Sequence, residues 1–244
     1  MAFSIDDQLV ARFVDTPANG VAAVSGTFNS VSNSLILLCV SATSDSATPD
    51  ITIGVSGGGL TWTKVVEQEG VASSYGGHVS WWWAYVTTGA SMTISVTRTA
   101  GNGGVNGISC KPYIITGDFD AVAPIGMASG GNFTSNTASP VFGNTTRANS
   151  RVFYGAIDMT ASGVIVSSDT EESADYPGAA SVMSAYKASD TAGSGTSVSG
   201  DFDCGGTGSV QVTWAAIELR APSTGATSDV PVGSARLMMH LLNF

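Results

Sequence analysis

The stretch His78-Val79-Ser80-Trp81-Trp82-Trp83-Ala84-Tyr85-Val86 carries more apolar area than any other nine-residue window of this chain. Successive side chains of an extended strand point to opposite faces, so one face holds Val79, Trp81, Trp83 and Tyr85. The other face holds Ser80, Trp82, Ala84 and Val86. A strand that is apolar on both faces needs cover on both sides. The stretch therefore predicts a central strand of a packed sheet, and an exposed aromatic platform for a sugar or a partner is the alternative.

Short β-rich runs separated by Gly, Ser, Asn and Asp make up most of the chain. They predict strands at 21–28, 34–42, 51–55, 62–68, 78–86, 91–98, 107–116, 151–159, 164–168, 180–187, 197–202 and 209–219. No segment of helical length shows the helical period. The fold class is therefore all-β. We expect a two-sheet antiparallel β-sandwich that is jelly-roll-like, with an immunoglobulin-like sandwich as the alternative.

Two stretches interrupt this rhythm. Residues 117–147 are rich in Gly, Ser, Asn and Thr, and they predict a long connection that covers a sheet edge or projects as a loop. The acidic stretch 169–175 predicts a solvated loop. Gly-Asp-Phe-Asp occurs at both 117–120 and 200–203, but nothing around it repeats. The sequence therefore predicts no internal duplication.

Three regions follow from these patterns: an N-terminal arm at 1–19, a sandwich domain at 20–221, and a linker with an apolar C-terminal tail at 222–244. The tail either folds back on its own sandwich or docks on another chain, and the polar linker before it favours another chain. The residues predicted to bind a partner are apolar side chains of the arm and the tail: Phe3, Ile5, Leu237, Met238, Met239, Leu241, Leu242 and Phe244.

Composition excludes several classes of function. Nine Lys and Arg against nineteen Asp and Glu give a formal charge of −10, and the cations are scattered singly. Nucleic-acid backbones and anionic membranes are therefore not expected partners. The mean hydropathy is +0.22, yet no apolar run approaches the roughly 18–20 residues of a spanning helix. Without a secretory signal, we expect synthesis in a cytoplasm, with the three cysteines buried and reduced.

Catalytic and metal-binding patterns are weak. Gly54-Val55-Ser56-Gly57-Gly58 matches the Gly-x-Ser-x-Gly pattern, but a nucleophile elbow needs a strand-to-helix turn and a histidine base. We expect no catalytic residues, no enzyme activity and no zinc site. We expect no cofactor: calcium is the one cation that the sequence could accommodate, and solvated loop charge is the favoured interpretation at each acidic position. Its oxygen ligands would come from Asp118 and Asp120, from Asp201 and Asp203, or from the stretch 169–175.

Several stretches in their order resemble a loosely defined group of β-sandwich proteins of tailed bacteriophages. They are Asn33 to Val40, Leu60 to Val65, Trp81 to Val86, Met92 to Val96 and Trp214 to Leu219. The resemblance spans about residues 20–221 and rests on core and turn positions. It implies a structural virion protein that decorates or cements the capsid, or serves as a tail accessory subunit. The implied partners are the major capsid protein or other virion subunits, within a homo-oligomer for which we expect a trimer.

A carbohydrate-binding module on a phage tail or a cell surface is the alternative function. Exposed aromatic rings would stack on the sugar, and the residues predicted for this role are Trp62, Trp82 and Tyr75.

Overall fold

The computed structural model describes residues 3–15, 20–44, 51–72, 75–99, 105–160, 164–175, 180–205 and 210–223. Every strand pair among them is antiparallel, and these residues contain no helix. This confirms the predicted all-β class and the sandwich architecture. The linker from residue 224 and the apolar tail, including Leu237 to Phe244, lie outside the described residues.

The first half of the chain builds one large sheet and a smaller sheet facing it. The large sheet has the strand order β1-β11-β5-β8-β7, and β2 also pairs with β11. The small sheet has the order β3-β10-β6, and β4 pairs with β9. The strands are β1 (Ser4–Asp6), β2 (Phe13–Asp15), β3 (Ala22–Val24), β4 (Phe28–Asn29), β5 (Ser34–Ser44), β6 (Thr52–Ser56), β7 (Thr63–Ala72), β8 (Tyr75–Val86), β9 (Ser91–Met92), β10 (Ser95–Thr99) and β11 (Val105–Thr116).

The second half builds a second large sheet, of order β12-β20-β15-β17-β16, and two small pairs, β13-β19 and β14-β18. Its strands are β12 (Ile125–Phe133), β13 (Thr137–Ala138), β14 (Val141–Asn144), β15 (Arg151–Asp158), β16 (Thr170–Asp175), β17 (Ser181–Tyr186), β18 (Ser197–Ser199), β19 (Phe202–Asp203) and β20 (Val212–Leu219).

The two halves repeat one topology. The order β1-β11-β5-β8-β7 of the first large sheet recurs strand for strand as β12-β20-β15-β17-β16. The pairs β3-β10 and β4-β9 recur as β13-β19 and β14-β18. In the second half, the position that corresponds to β6 holds a single bridge, between Val166 and Asp203. The prediction of no duplication was therefore wrong at the level of strand order.

Backbone conformation marks the same equivalence. Asn33 and Asn149, with φ of 56° and 58°, are the non-glycine residues with positive φ in the described part of the chain. Each is followed by a serine: Ser34 is the first residue of β5, and Ser150 directly precedes the equivalent strand β15. Asparagine tolerates this left-handed conformation better than most residues. The two Gly-Asp-Phe-Asp stretches, by contrast, occupy unrelated places, one after β11 and one at β19.

Apolar side chains fill three clusters between four layers. The inter-sheet cluster lies between the two large sheets and includes Leu37, Val79, Trp81, Phe153 and Ile217. The first-half cluster lies between the first large sheet and its small sheet and includes Ile36, Leu38, Trp82, Ile94 and Val96. The second-half cluster covers the other face of the second large sheet and includes Phe142, Tyr154, Phe202, Val212 and Trp214.

The strand that contains the tryptophans occupies the predicted central place. β8 pairs with β5 on one side and β7 on the other. Val79 and Trp81 face the inter-sheet cluster, and Trp82 and Val86 face the first-half cluster. Trp81 also donates a hydrogen bond from Nε1 to the carbonyl oxygen of Ala215, at 3.0 Å, across the gap between the halves. Each large sheet is therefore covered on both faces, which explains why its strands are apolar on both faces.

Three predicted segments differ from the structure. Residues 125–133, predicted to be part of a connection, form strand β12 beside β20. Residues 170–175, predicted to be a solvated loop, form strand β16 beside β17. Residues 164–168, predicted to be a strand, contribute only the bridge at Val166. Glycine content and acidic charge suggested loops, but cross-strand pairing overrides these local preferences.

Candidate functional site

The residues predicted to form an N-terminal arm lie on the chain's own fold. Phe3 is 6% exposed and belongs to the inter-sheet cluster, and Ile5 packs against the same cluster. β1 and β2 both pair with β11. Phe3 and Ile5, predicted to bind a partner, are therefore placed in the core of this chain, because their strand completes the edge of the first large sheet.

Polar contacts from the same segment join the two halves. Arg12 donates to the hydroxyl of Ser109 in the first half at 2.8 Å and to that of Ser184 in the second half at 2.6 Å. The buried Nζ of Lys111 donates to the carbonyl of Asp7 at 2.5 Å. Hydrogen bonds to charged donors are the stronger ones in proteins. The arrangement clamps the halves together and leaves residues 3–15 with a structural role.

The three aromatic residues predicted to stack on a sugar do not form one platform. Trp82 is 9% exposed and packs in the first-half cluster, and Trp62 is half-buried against that cluster. Tyr75 is 38% exposed, but it lies on the opposite face of β8 and about 23 Å along the strand from Trp82. The indole of Trp62 donates to the carbonyl of Gly57 at 3.4 Å, so its polar edge is used internally.

A surface groove of about 480 Å³ lies over β19, between β13 and residues 166–168. Asp201 and Asp203 line it, and so does Phe202 between them, which also packs in the second-half cluster. Four residues with hydroxyl groups also line it: Thr137, Ser139, Ser167 and Ser168. Ser168 donates to Asp201 at 2.6 Å. The sequence singled out this aspartate pair, but it offered no signal for the serines around it.

A hydrogen-bonded network lies at the edge of this groove. The hydroxyl of Tyr154 donates to Asp169 at 2.5 Å and lies 2.6 Å from the Ser167 oxygen, while Lys187 donates to Asp169 at 2.7 Å. Burial raises the pKa of Tyr154, and the bond to Asp169 raises it further. A phenol whose pKa is raised keeps its proton at neutral pH, so it cannot accept a proton from an adjacent serine. The network fixes the groove wall, and the groove can bind a small polar ligand through hydroxyls and carboxylates.

Asp120, one of the predicted calcium ligands, is bound by groups of the protein itself. Asp120 forms an ion pair with Arg147 and accepts the amides of Val122 and Ala123. Burial would raise the pKa of Asp120, but these amide bonds and the Arg147 contact outweigh it and lower the pKa. The described part of the chain contains no group of three or more His, Cys, Asp or Glu side chains that could hold a metal ion.

The Gly-x-Ser-x-Gly stretch lies in a β context. Ser56 ends strand β6, and the chain then turns through Gly57 to Gly59, all with positive φ, before β7. His78 is fully buried in β8, with Nδ1 3.5 Å from Glu69, and His240 lies outside the described residues. Cys39, Cys110 and Cys204 are free and buried, as the sequence predicted. Burial raises the pKa of the Cys39 thiol to about 12.

An aromatic mouth lies where the gap between the two large sheets opens. We use this name for Val65, Trp83, Tyr85 and Ile125, which are partly buried and pack against the inter-sheet cluster. The ring of Phe119 closes one side, with its centroid 6.2 Å from that of Tyr85. The mouth is apolar, so it suits an apolar side chain better than a polar ligand.

Searches against family models, curated proteins and solved structures return no match for this chain. Among the described residues, no helix has the length and apolar character needed to cross a bilayer.

Proposed function

We propose that the chain is a structural virion protein of a tailed bacteriophage, one that decorates or cements the capsid. The resemblance of residues 20–221 to phage β-sandwich proteins is the starting point, and the sandwich architecture agrees with it. In this proposal the partners are the major capsid protein or other virion subunits, in a trimer of this chain. The last strand of the first half, β11, returns to lie between the first strand β1 and β5, a Greek-key return that occurs in jelly-roll and immunoglobulin-like sandwiches alike.

One observation carries the choice of a structural function over sugar binding. The aromatic stretch of β8, the best source of a stacking platform, is used in packing: Trp81 is fully buried and Trp82 nearly so. Buried aromatic rings contribute large apolar area and specific ring contacts to a core. Such a core suits a rigid subunit that withstands mechanical load within a particle. The apolar residues from Leu237 to Phe244 are left to make the contact with a neighbour.

The test is assembly with and without the apolar segment. The full chain is expected to co-sediment with phage particles at a fixed copy number, measured by quantitative mass spectrometry. A chain ending at Asp229 is expected to keep the circular dichroism of a folded sandwich but to lose the particle. Full occupancy of particles by that shortened chain would contradict the proposal, and so would a full chain that never accompanies particles.

Sugar binding remains the second candidate, because the groove over β19 pairs two carboxylates with several hydroxyls. Carboxylates and hydroxyls that converge in a groove are typical polar contacts of a small-ligand site. Glycan-array binding that is lost in Asp201→Asn, with the melting temperature unchanged, would favour this candidate. Binding lost instead in Trp62→Ala would place the sugar on the aromatic residue predicted from the sequence.

A further inference from the structure

Strand β6 is an edge of the small sheet in the first half. It pairs with β10 over all five of its residues, Thr52 to Ser56, in a register without a bulge. Among the described strands, no other pairs with it. Alternate backbone N–H and C=O groups of an edge strand point away from its partner. The outer side of β6 therefore offers backbone donors and acceptors to a further strand.

The edge of β6 lacks the features by which native edge strands avoid further pairing. Charged side chains, proline and bulges are the usual features. The sequence of β6, Thr-Ile-Gly-Val-Ser, contains none of them. By contrast, the edge strand β16 of the second large sheet includes Glu171, Glu172 and Asp175. At the other edge of the small sheet, β3 has only three residues and lies against β2.

Strand β7 lies beneath this open edge with one face uncovered. On the face towards the small sheet, Ser80 of β8 is buried, whereas its cross-strand partner Glu67 of β7 is exposed. His78 of β8 is likewise buried, and its partner Glu69 is only half-buried. We use the name shelf for this face of β7, which carries Lys64, Glu67 and Glu69. The β6 groove, of about 390 Å³, lies between the two strands and is lined by Ile51, Thr52, Lys64, Glu67, Gln68 and Glu69.

The shelf is one strand wide, because β7 is the last strand of its sheet. Neighbouring strands of a sheet lie about 4.8 Å apart, so a single strand added to β6 lies over β7. A second copy of this chain, joined through its own β6, would bring its β7 into the same space. The β6 groove therefore suits one extended segment better than a second copy.

The two ends of the β6 groove differ in chemistry. The shelf carries one cation and two carboxylates, and Lys64 already pairs with Glu67 at 2.6 Å. A basic side chain therefore complements the charge of the shelf. At the other end, Val55 and Trp62 are partly buried against the first-half cluster. An aliphatic side chain gains from contact with this apolar end.

We propose that β6 accepts a strand from a partner protein, an extended segment with an aliphatic residue two positions before a basic one. In antiparallel pairing the aliphatic side chain lies opposite Val55, and the basic side chain, opposite Ile53, reaches Glu67. Main-chain hydrogen bonds give such a complex its affinity, and the alternate side chains give it specificity. The inference does not depend on the proposed function, because the apolar segment at 237–244 takes no part in it.

Nuclear magnetic resonance titration of the isotope-labelled full chain tests the proposal. The probe is the capped peptide acetyl-Thr-Val-Thr-Lys-Thr-amide. The backbone amide signals of Thr52 to Ser56 and of Glu67 are expected to shift and to saturate in the millimolar range. The absence of a saturable shift at β6 would overturn the proposal. Shifts of the same signals on concentration of the chain without peptide would also overturn it, because a second copy would then occupy the groove.

Two N-methylated forms of the peptide test the backbone pairing, one for each set of alternate amides. Pairing with an edge uses only one side of the peptide backbone. One form is therefore expected to bind about tenfold more weakly than the parent peptide, because its donors to β6 are removed, and the other to bind like the parent. Equal binding of the two forms would overturn the proposal.

Reversal of one exposed charge tests the role of the shelf. Glu67→Lys is expected to weaken binding of the lysine peptide severalfold and to strengthen binding of the same peptide with glutamate in place of lysine. Asp203→Lys, the same change of charge at an exposed position in the other half, is the matched control and is expected to change neither. Equal effects of the two variants would overturn the proposal, and so would an unchanged peptide preference in Glu67→Lys.

Discussion

Two asparagines in the left-handed region, Asn33 and Asn149, lie just before the equivalent strands β5 and β15. We expect Asn33→Ala and Asn149→Ala each to lower the free energy of unfolding by about 1 kcal/mol, because a Cβ without a compensating polar side chain is disfavoured there. Asn33→Gly and Asn149→Gly are the matched controls and are expected to be nearly neutral, since glycine adopts this conformation freely. Urea denaturation measures both, and alanine variants as stable as the parent would contradict the expectation.

Glu218 is a fully buried carboxylate on β20 that anchors the chain before β15. It accepts the amides of Met127, Thr146 and Arg147 at 2.9–3.2 Å and the Thr146 hydroxyl at 2.9 Å. Burial would raise the pKa of Glu218, but the hydrogen bonds, chiefly from the Met127 and Thr146 amides, outweigh it and hold the pKa below its ordinary value.

The sign of the resulting pH dependence follows from that lowered pKa. The stabilisation is present above the unfolded-state pKa of about 4.3 and is lost as the pH falls through the lower folded-state pKa. We expect Glu218→Gln to be less stable than the parent at pH 7, with the difference shrinking below pH ~4. Denaturant midpoints measured from pH 7 to pH 3 test this. A difference that stays constant over the range would contradict it.

At the scale of elements, the contact of β5 with β15 depends on one missing side chain. A Cβ on Gly155 would lie 2.4 Å from the sulfur of Cys39, so Gly155→Ala overpacks the inter-sheet cluster. We expect it to cost about 1–3 kcal/mol in the free energy of unfolding. Adding Cys39→Ala should recover part of the loss, because it removes the clashing sulfur.

Gly54→Ala in β6 is the matched control, since its Cβ would meet only the Thr97 carbonyl, at 3.9 Å, and it is expected to be tolerated. A double variant with simply additive losses would show that Cys39 and Gly155 are not coupled through this contact.

How far the sequence predicts the elements depends on what selects each residue. The central place of the tryptophan stretch was predicted and is confirmed, because burial alone selects those residues. Strand β12 was not predicted, because its glycines suggested a loop. They are needed for close packing: a Cβ at Gly126 would lie 2.1 Å from Glu218, and one at Gly131 would lie 2.9 Å from the Trp214 ring. Local composition cannot distinguish glycines that permit close packing in a strand from glycines that belong to a loop.

The edge strand β16 and the groove show the same limit. The acidic residues of 170–175 suggested a solvated loop. Edge strands of native sheets, however, also carry charge, because it discourages pairing with further strands. Asp201 and Asp203 could be predicted to share a face, because strand alternation is local. Ser167 and Ser168 join them only through the bridge between Val166 and Asp203, a contact between segments far apart in sequence.

At the scale of the whole molecule, the inter-sheet cluster makes each half depend on the other. Residues 117–223 alone would expose the apolar face that includes Phe153, Ile157, Val182 and Ile217. We expect this half to self-associate or remain insoluble when it is produced alone, because exposed apolar faces of this kind drive association. Size-exclusion chromatography with light scattering measures it, with the full chain as the control. A monodisperse, folded monomer of residues 117–223 would contradict the expectation.

The packing of the two large sheets against each other also affects two edge strands. β7 borders the first large sheet and β12 the second, and they meet where the side-chain amide of Asn132 donates to the Glu69 carbonyl at 3.1 Å. A bare strand border is a template on which foreign strands can grow into fibres. Here each half covers part of the border of the other around Glu69 and Asn132, so a protein built almost wholly of strands presents less open border to a foreign strand than two separate halves would.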